Sequence, residues 1–296
     1  MNYAQLYLQA ILNAIPEKLY FSEIYTANNK NDVKFVNAKT INIPVISVTG
    51  RKNGSTETIG TKAKNFSLSY ETKTLTRHRT WETLVHPTTI QRTNLAASIA
   101  NITKVFNSEQ KFPEMDAYAV SQIYALKNAI TPVVQETEEL TVDNVLSKLD
   151  AIIERFDNES VPQVGRIAYV TPAVQTLIQK AIGITRTATG KTTQTQIVTT
   201  VDEYNGLIIK KVPNSLMKTA YDFSETNGYS VADTAKQIGI FALNLYAVIP
   251  AISYESVLLD APAAGTGGNW DYFEEAFEDI FIFNERAKAI EFVVLA

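Results

Sequence analysis

The chain has 296 residues, 45% hydrophobic and 20% charged, with a formal net charge of −4. This is a globular composition with apolar material for one large core or two modest ones, and it excludes general disorder. The absence of cysteine excludes disulfides, thiolate metal sites and cysteine nucleophiles, and the balance lacks the basic excess of a dedicated DNA-binding domain. No apolar run is long enough to span a membrane, and Met1 to Tyr7 shows no basic region followed by an apolar one, so no secretory signal is expected.

In chain order, Leu6, Leu8, Ile11, Leu12 and Ile15 predict one short helix before Pro16, and the text to about Val36 reads as an arm with little core of its own. Thr40 to Val48 predicts a strand in which Pro44 argues for an edge position. A polar stretch from Gly50 to Asn65 follows. Then Phe66, Leu68 and Tyr70 alternate with Ser67, Ser69 and Glu71, the period of a second strand. Two strands around a long polar tip make an extended hairpin, a projection suited to meeting a partner.

Leu95, Ile99, Ile102 and Phe106 recur at i, i+4, i+7 and i+11 and predict the strongest helix, from near Gln91 to before Phe112-Pro113. A second helix opens at Glu114-Met115-Asp116, with Ala117, Val120, Ile123 and Tyr124 on one face. A third spans Asp143 to Phe156 with Val145, Leu149, Ile152 and Phe156 aligned, capped by Asp143 or Thr141. Arg166 to Val170 reads as a strand, and Thr171-Pro172 as a cap and first position of the helix through Leu177 and Ile178. Asn205-Gly206 predicts a type I′ hairpin turn into Leu207-Ile208-Ile209. Ile238 to Ile249 is an apolar run, strand or buried helix. Gly265 to Gly268 reads as a flexible joint, Trp270 to Phe277 as an aromatic helix, and Ile280 to Phe283 and Ala289 to Leu295 as strands. The sum is α+β, with antiparallel strands, no βαβ rhythm and no internal repeat.

No catalytic set emerges. Thr185 to Thr192 ends like a phosphate loop in Gly190-Lys191-Thr192, but Thr185 stands where its first glycine belongs and the following residues read as extended; a mobile Thr-rich loop fits better. His78 and His86 flank Glu82 without a metal-ligand spacing, and read as surface histidines near the hairpin base. With only two histidines a serine triad has few bases. Glu138-Glu139 and Glu274-Glu275 read as solvated faces before carboxylate dyads. No cofactor and no metal is expected. Arg77, Arg79 and Lys73 read as interprotein salt-bridge residues before a nucleic-acid patch.

Lys111-Phe112-Pro113-Glu114-Met115-Asp116-Ala117-Tyr118, a Pro-Glu-(apolar)-Asp-Ala-Tyr motif after a long helix, resembles the major capsid proteins of tailed bacteriophages with the Hong Kong 97 fold. Other segments agree in order: Val36 to Pro44 is similar to the family's first strand, and Val161 to Pro172 to its P-x-x-G-R-x-x-Y-V-T-P segment. Gly206 to Pro213 is similar to its G-x-x-I-x-x-V-P strand, and Asp279 to Asn284 with Ala289 to Glu291 to its closing strands. The resemblance covers nearly the whole chain. In two places the chain departs from it. Arg77-His78-Arg79-Thr80-Trp81 stands where many relatives carry Asp-Arg and an aromatic, and no long charged helical extension precedes the arm.

The resemblance implies a wrapping arm over residues 1–37 and an extended loop over 38–86. It implies a peripheral domain with the spine helix over 87–131 and 268–296, and an axial domain over 132–267. It further implies hexamers and pentamers of this chain forming an icosahedral phage head, with a portal, a separate scaffolding protein and enclosed double-stranded DNA bound without sequence specificity. Assembly is expected in the host cytoplasm, with no membrane involved, and the mild acidity suits a wall that leaves a polyanion free to move. Arg51, Lys52, Lys62, Lys64, Arg77, Arg79 and Glu82 are the candidate inter-subunit contacts. The competing readings are an encapsulin-like nanocompartment shell, a soluble α+β enzyme with an unrecognised site, and a mostly-β tail or adhesion protein.

Overall fold

A computed structural model describes residues 19–27, 34–37, 39–51, 64–92, 98–134, 139–183, 202–224 and 228–295. The helix expected around Leu6 to Ile15, the hairpin tip with Lys52 and Lys62, Leu95, Glu138 and the Thr185 to Thr192 loop lie outside the described residues.

The chain enters through a one-turn helix, α1 (Ser22–Tyr25), then β1 (Lys34–Asn37), β2 (Thr40–Val48), β3 (Phe66–Thr74) and β4 (His78–Val85). The expected hairpin is β2 and β3, paired antiparallel from Thr40↔Thr74 out to Val48↔Phe66. β1 pairs only with the first residues of β2, from Asn37↔Thr40 to Lys34↔Asn42. Pro44 therefore sits just past this pairing, with β3 on its other side, so its missing N–H leaves no gap in a ladder.

After the short helix α2 (Pro87–Arg92), the longest helical run is α3 (Ile99–Phe106), a π turn (Asn107–Lys111) and α4 (Phe112–Ile130). The expected stop before Phe112-Pro113 is wrong. Phe112 keeps helical angles, φ −67° and ψ −43°. A proline inside a helix lacks an N–H and crowds the carbonyl four residues back. That residue, Glu109, lies inside the wider π turn, so the helix continues instead of ending.

The expected third helix is α5 (Val145–Asn158), with Val145, Leu149, Ile152 and Phe156 all fully buried. Its cap position is Asn144, not Asp143 or Thr141; the Asn144 side chain accepts the Thr141 N–H at 2.7 Å. β5 (Arg166–Val170) leads into α6 (Pro172–Ala181), and Thr171 caps it by accepting the Val174 N–H. β6 (Glu203–Tyr204) and β7 (Leu207–Lys211) flank Asn205 and Gly206 at φ 47° and 78°, the positive pair that a type I′ turn demands. β8 (Tyr221–Asp222) and β9 (Ser230–Val231) make a small pair. The ambiguous apolar run resolves as β10 (Ile238–Asn244), a 3-10 turn and the start of β11 (Val248–Asp260). β12 (Trp270–Ile282) and β13 (Ile290–Val294) close the chain.

Three further expectations change. Trp270 to Phe277 is strand, paired on one side with β11 and on the other with β4. Gly265 to Gly268 lies in the turn between β11 and β12. One parallel pair exists, β5 with β7, with α6 in the connection; the Thr-rich stretch and the β6–β7 turn between them hide this crossover from the sequence pattern.

The main core lies between the sheet β13-β10-β5-β7-β6 and the helices α4, α5 and α6. A smaller core fixes the hairpin base: Ile41 and Ile43 of β2 and Leu75 bury against Ile249, Ala251 and Phe281.

Candidate functional site

Residues directly opposite in an antiparallel pair share a face. At the base of the β2–β3 ribbon the apolar face is the one carrying Ile41 and Ile43, which the chain's own smaller core covers. Farther out, that face carries the half-buried Val45 with Ser47, Ser67 and Ser69, and the other apolar residues lie on the opposite face. Pro44 pairs with Tyr70, Ile46 with Leu68 and Val48 with Phe66. All six are exposed, with Ile46 at 62%, Val48 at 74%, Phe66 at 53%, Leu68 at 47% and Tyr70 at 58%. Period-2 alternation that leaves its apolar side in water marks an interaction surface. Lys64 caps the stripe by placing its ammonium 4.7 Å from the Phe66 ring centroid.

The ribbon's root is built differently. The guanidinium of Arg77 is buried, 2.5 Å from Glu114 Oε1 and 3.1 Å from Glu278 Oε1. Its carbon lies 4.1 Å from the Tyr118 ring centroid and 5.2 Å from that of Phe223. Arg79 reaches the same Glu114 oxygen at 2.7 Å and donates to the carbonyls of Phe223 and Gly228. Asp279 accepts the Thr76 N–H at 3.0 Å and the Tyr118 hydroxyl at 2.6 Å, and burial with this nearby carboxylate pushes the Tyr118 hydroxyl far up. A cleft of about 540 Å³ opens here, between Trp81, Phe106 of α3, Glu114 and Glu274. Trp81 stacks on Phe106 at 3.9 Å, and Lys111 pairs with Glu274 at 3.3 Å.

Arg77 and Arg79 are thus held by partners within the subunit, Arg77 buried and Arg79 one-third exposed. A buried guanidinium between two carboxylates and two ring faces cannot turn outward without exposing uncompensated charge. Arg51, Lys64 and Glu82 are exposed. His78 bonds to Glu275 at 2.7 Å and stacks on Phe277, while His86 bonds to Thr88; among the described residues no cluster of metal-ligating groups occurs. Glu274 and Glu275 are successive on β12 and so point to opposite faces, Glu274 to Lys111 and Glu275 to His78, which is no acid/base dyad.

A second anchor was not foreseen from the sequence. Asp116 of α4 is buried and accepts the N–H groups of Tyr20 at 3.0 Å and Phe21 at 3.1 Å, which holds this part of the arm on the helix. Burial pushes its carboxyl up to about 7 against the pull of those two N–H bonds, with the nearby Glu23 adding to the rise. Tyr25 donates to the Met115 carbonyl at 2.8 Å, and Glu23 meets Lys210 and Tyr169. The only sequence signal was the Pro-Glu-(apolar)-Asp-Ala-Tyr motif, in which Glu114, Asp116 and Tyr118 all fall.

No family model matches the sequence, and no curated protein matches it. Solved structures match in fold. The bacteriophage PhiM1 mature capsid chain superposes with a TM-score of 0.61 at 11% identity, over 87% of this chain and 82% of that one. A chain from the capsid of cyanophage P-SCSP1u gives 0.60 at 12% identity, over 89% and 85%. The chain has a phage-capsid fold. The α+β capsid architecture implied by the motifs therefore stands. A virus-like particle from Pyrococcus furiosus matches over 99% of this chain and 100% of its own, with a TM-score of 0.51 at 9% identity.

Proposed function

We propose that this chain is a major capsid protein, whose copies assemble as hexamers and pentamers into the icosahedral head of a tailed phage around double-stranded DNA. The observation that carries this reading is the outer half of the hairpin. It presents Ile46, Val48, Phe66, Leu68 and Tyr70 to solvent while its root is locked to its own chain. Removing such a face from water contributes on the order of 1 kcal/mol per large side chain. Shared by many copies, such modest contacts add up to a stable shell.

In this reading the arm, residues 1–37, reaches a neighbour from a root at 19–27 that stays packed on its own chain, and residues 38–86 form the loop that lies over that neighbour. Residues 87–131 with 268–296 form the peripheral domain, and 132–267 the axial domain. Arg51, Lys52, Lys62, Lys64 and Glu82 serve as the polar rim of the contact. A separate scaffolding protein and a portal act during assembly in the host cytoplasm, and the mature chain resides in the virion. No catalytic role is assigned to it.

Negative-stain microscopy of the recombinant chain, with and without a candidate scaffold, tests the proposal. Closed shells or capsomers are expected. Persistence as a monomer in every condition contradicts it. A second reading, a cellular nanocompartment shell, draws on the virus-like particle that matches end to end. Shells purified from the native source then hold a protein cargo in place of packaged DNA.

A further inference from the structure

The arm root, residues 19–27, and the hairpin root, residues 74–79, both rest on the first turns of α4. On the hairpin side, Glu114 Oε1 lies 2.5 Å from Arg77 and 2.7 Å from Arg79. Tyr118 donates to Asp279, which in turn accepts from Thr76. On the arm side, Asp116 accepts from Tyr20 and Phe21, and the Met115 carbonyl accepts from Tyr25. The two sets interleave in sequence, so neither root has a stretch of helix to itself.

They also touch electrostatically. Tyr25 is buried, and burial first, then the nearby Glu278, pushes its hydroxyl well up while Arg77 opposes the rise. A group from the arm root thus shares one enclosed cluster with the guanidinium of the hairpin root. Immediately before this cluster the regular helix is interrupted by the π turn Asn107–Lys111. Its buried Asn107 Oδ1 has no hydrogen-bond partner among the described residues. The turn that carries both roots is therefore not stiffened by an unbroken α ladder from α3.

We infer that residues 114–118 form a coupling hub, through which loosening the arm root loosens the hairpin root and the reverse. Packed interiors shift between discrete arrangements and do not stretch, so displacing this turn for one projection displaces it for the other. Coupling of this kind is reciprocal: each root must affect the other by the same factor. The property belongs to a single chain and holds whether or not shells form.

Amide hydrogen exchange on the full chain, kept unassembled by dilution, tests it. Tyr25→Phe removes one hydroxyl on the arm side, whose hydrogen bond goes to the Met115 carbonyl and to no hairpin residue. It is expected to speed exchange at residues 74–79 about fivefold, as well as at 19–27. Thr76→Val removes one hydroxyl on the hairpin side and is expected to speed exchange at 20–25 by a similar factor. Ser67→Ala, far out on the ribbon, is expected to leave both roots unchanged. Acceleration confined to the substituted side in either variant overturns the hub. Equal acceleration by Ser67→Ala overturns it too, since the effect is then a general loosening. Should Tyr25→Phe fail to fold, Thr76→Val alone still decides between coupled and independent roots.

Discussion

One ribbon contains two opposite solutions to the same problem. At its root, the large groups are held within the chain: Ile41 and Ile43 are buried, and Arg77 lies between Glu114 and Glu278. In its outer half, six residues from Pro44 to Tyr70 form an apolar face that the described chain leaves uncovered. The root is fixed by its own fold, and the outer half has no covering surface among the described residues. The contrast separates stability from association: substitutions at the root should act on the first, and those farther out on the second.

The largest expected effect is at the root. Arg77→Met leaves Glu114 and Glu278 buried with less compensation. Removing one partner of such a pair costs about 3–5 kcal/mol, visible as a lower midpoint in urea unfolding. A change under about 0.5 kcal/mol, the size of an ordinary surface substitution, would erase the distinction between the two halves.

The arm root should respond to pH. Asp116 is raised from 3.8 to about 7 in the fold, so the folded chain holds a proton there that the unfolded chain has released. Stability from this group is therefore full below about pH 4 and is lost as pH rises toward and through 7. The swing is on the order of a few kcal/mol. Asp116→Asn keeps a carbonyl acceptor and cannot ionise. The difference between the wild-type and variant stability curves should fall with rising pH across this window and level off above it. A flat difference contradicts a carboxyl raised by burial beyond what its two N–H donors offset.

In the outer half the order reverses. Phe66→Ser with Leu68→Ser should change unfolding free energy by no more than about 0.5 kcal/mol, because both side chains already face water. The concentration needed for assembly should rise by tenfold or more, read by sedimentation, since roughly 1.4 kcal/mol lost per contact is a factor of ten. The smallest effect is at Lys64. Its exposed cation–ring contact with Phe66 contributes about 0.5 kcal/mol, so Lys64→Gln should shift the salt dependence of assembly slightly and leave the fold unchanged.

What the sequence disclosed follows how local each decision was. Asn205-Gly206 and Thr171-Pro172 spell their own turns and caps, and Val145, Leu149, Ile152 and Phe156 mark a helix face. Phe66, Leu68 and Tyr70 declared a strand, but not that their face would be left bare, because that depends on a switch of faces relative to Ile41 and Ile43. Trp270, Phe273 and Phe277 mimic a helical stripe. They belong to a strand because β4 and β11 both pair with it, and Glu274 and Glu278 point inward because Lys111 and Arg77 meet them there. The helix through Pro113 depended on a π turn that no residue type announces. Asp116 was legible only as one letter of a motif; its role required the two N–H groups some 95 residues away.

The central claim, that a neighbouring copy covers the outer face of the hairpin, admits a direct measurement. The natural chain has no cysteine, so Leu68→Cys introduces a single thiol, whose alkylation rate is measured before and after assembly. Rapid reaction in the free subunit and strong protection in shells is the predicted result. Equal rates in the two states would contradict the account.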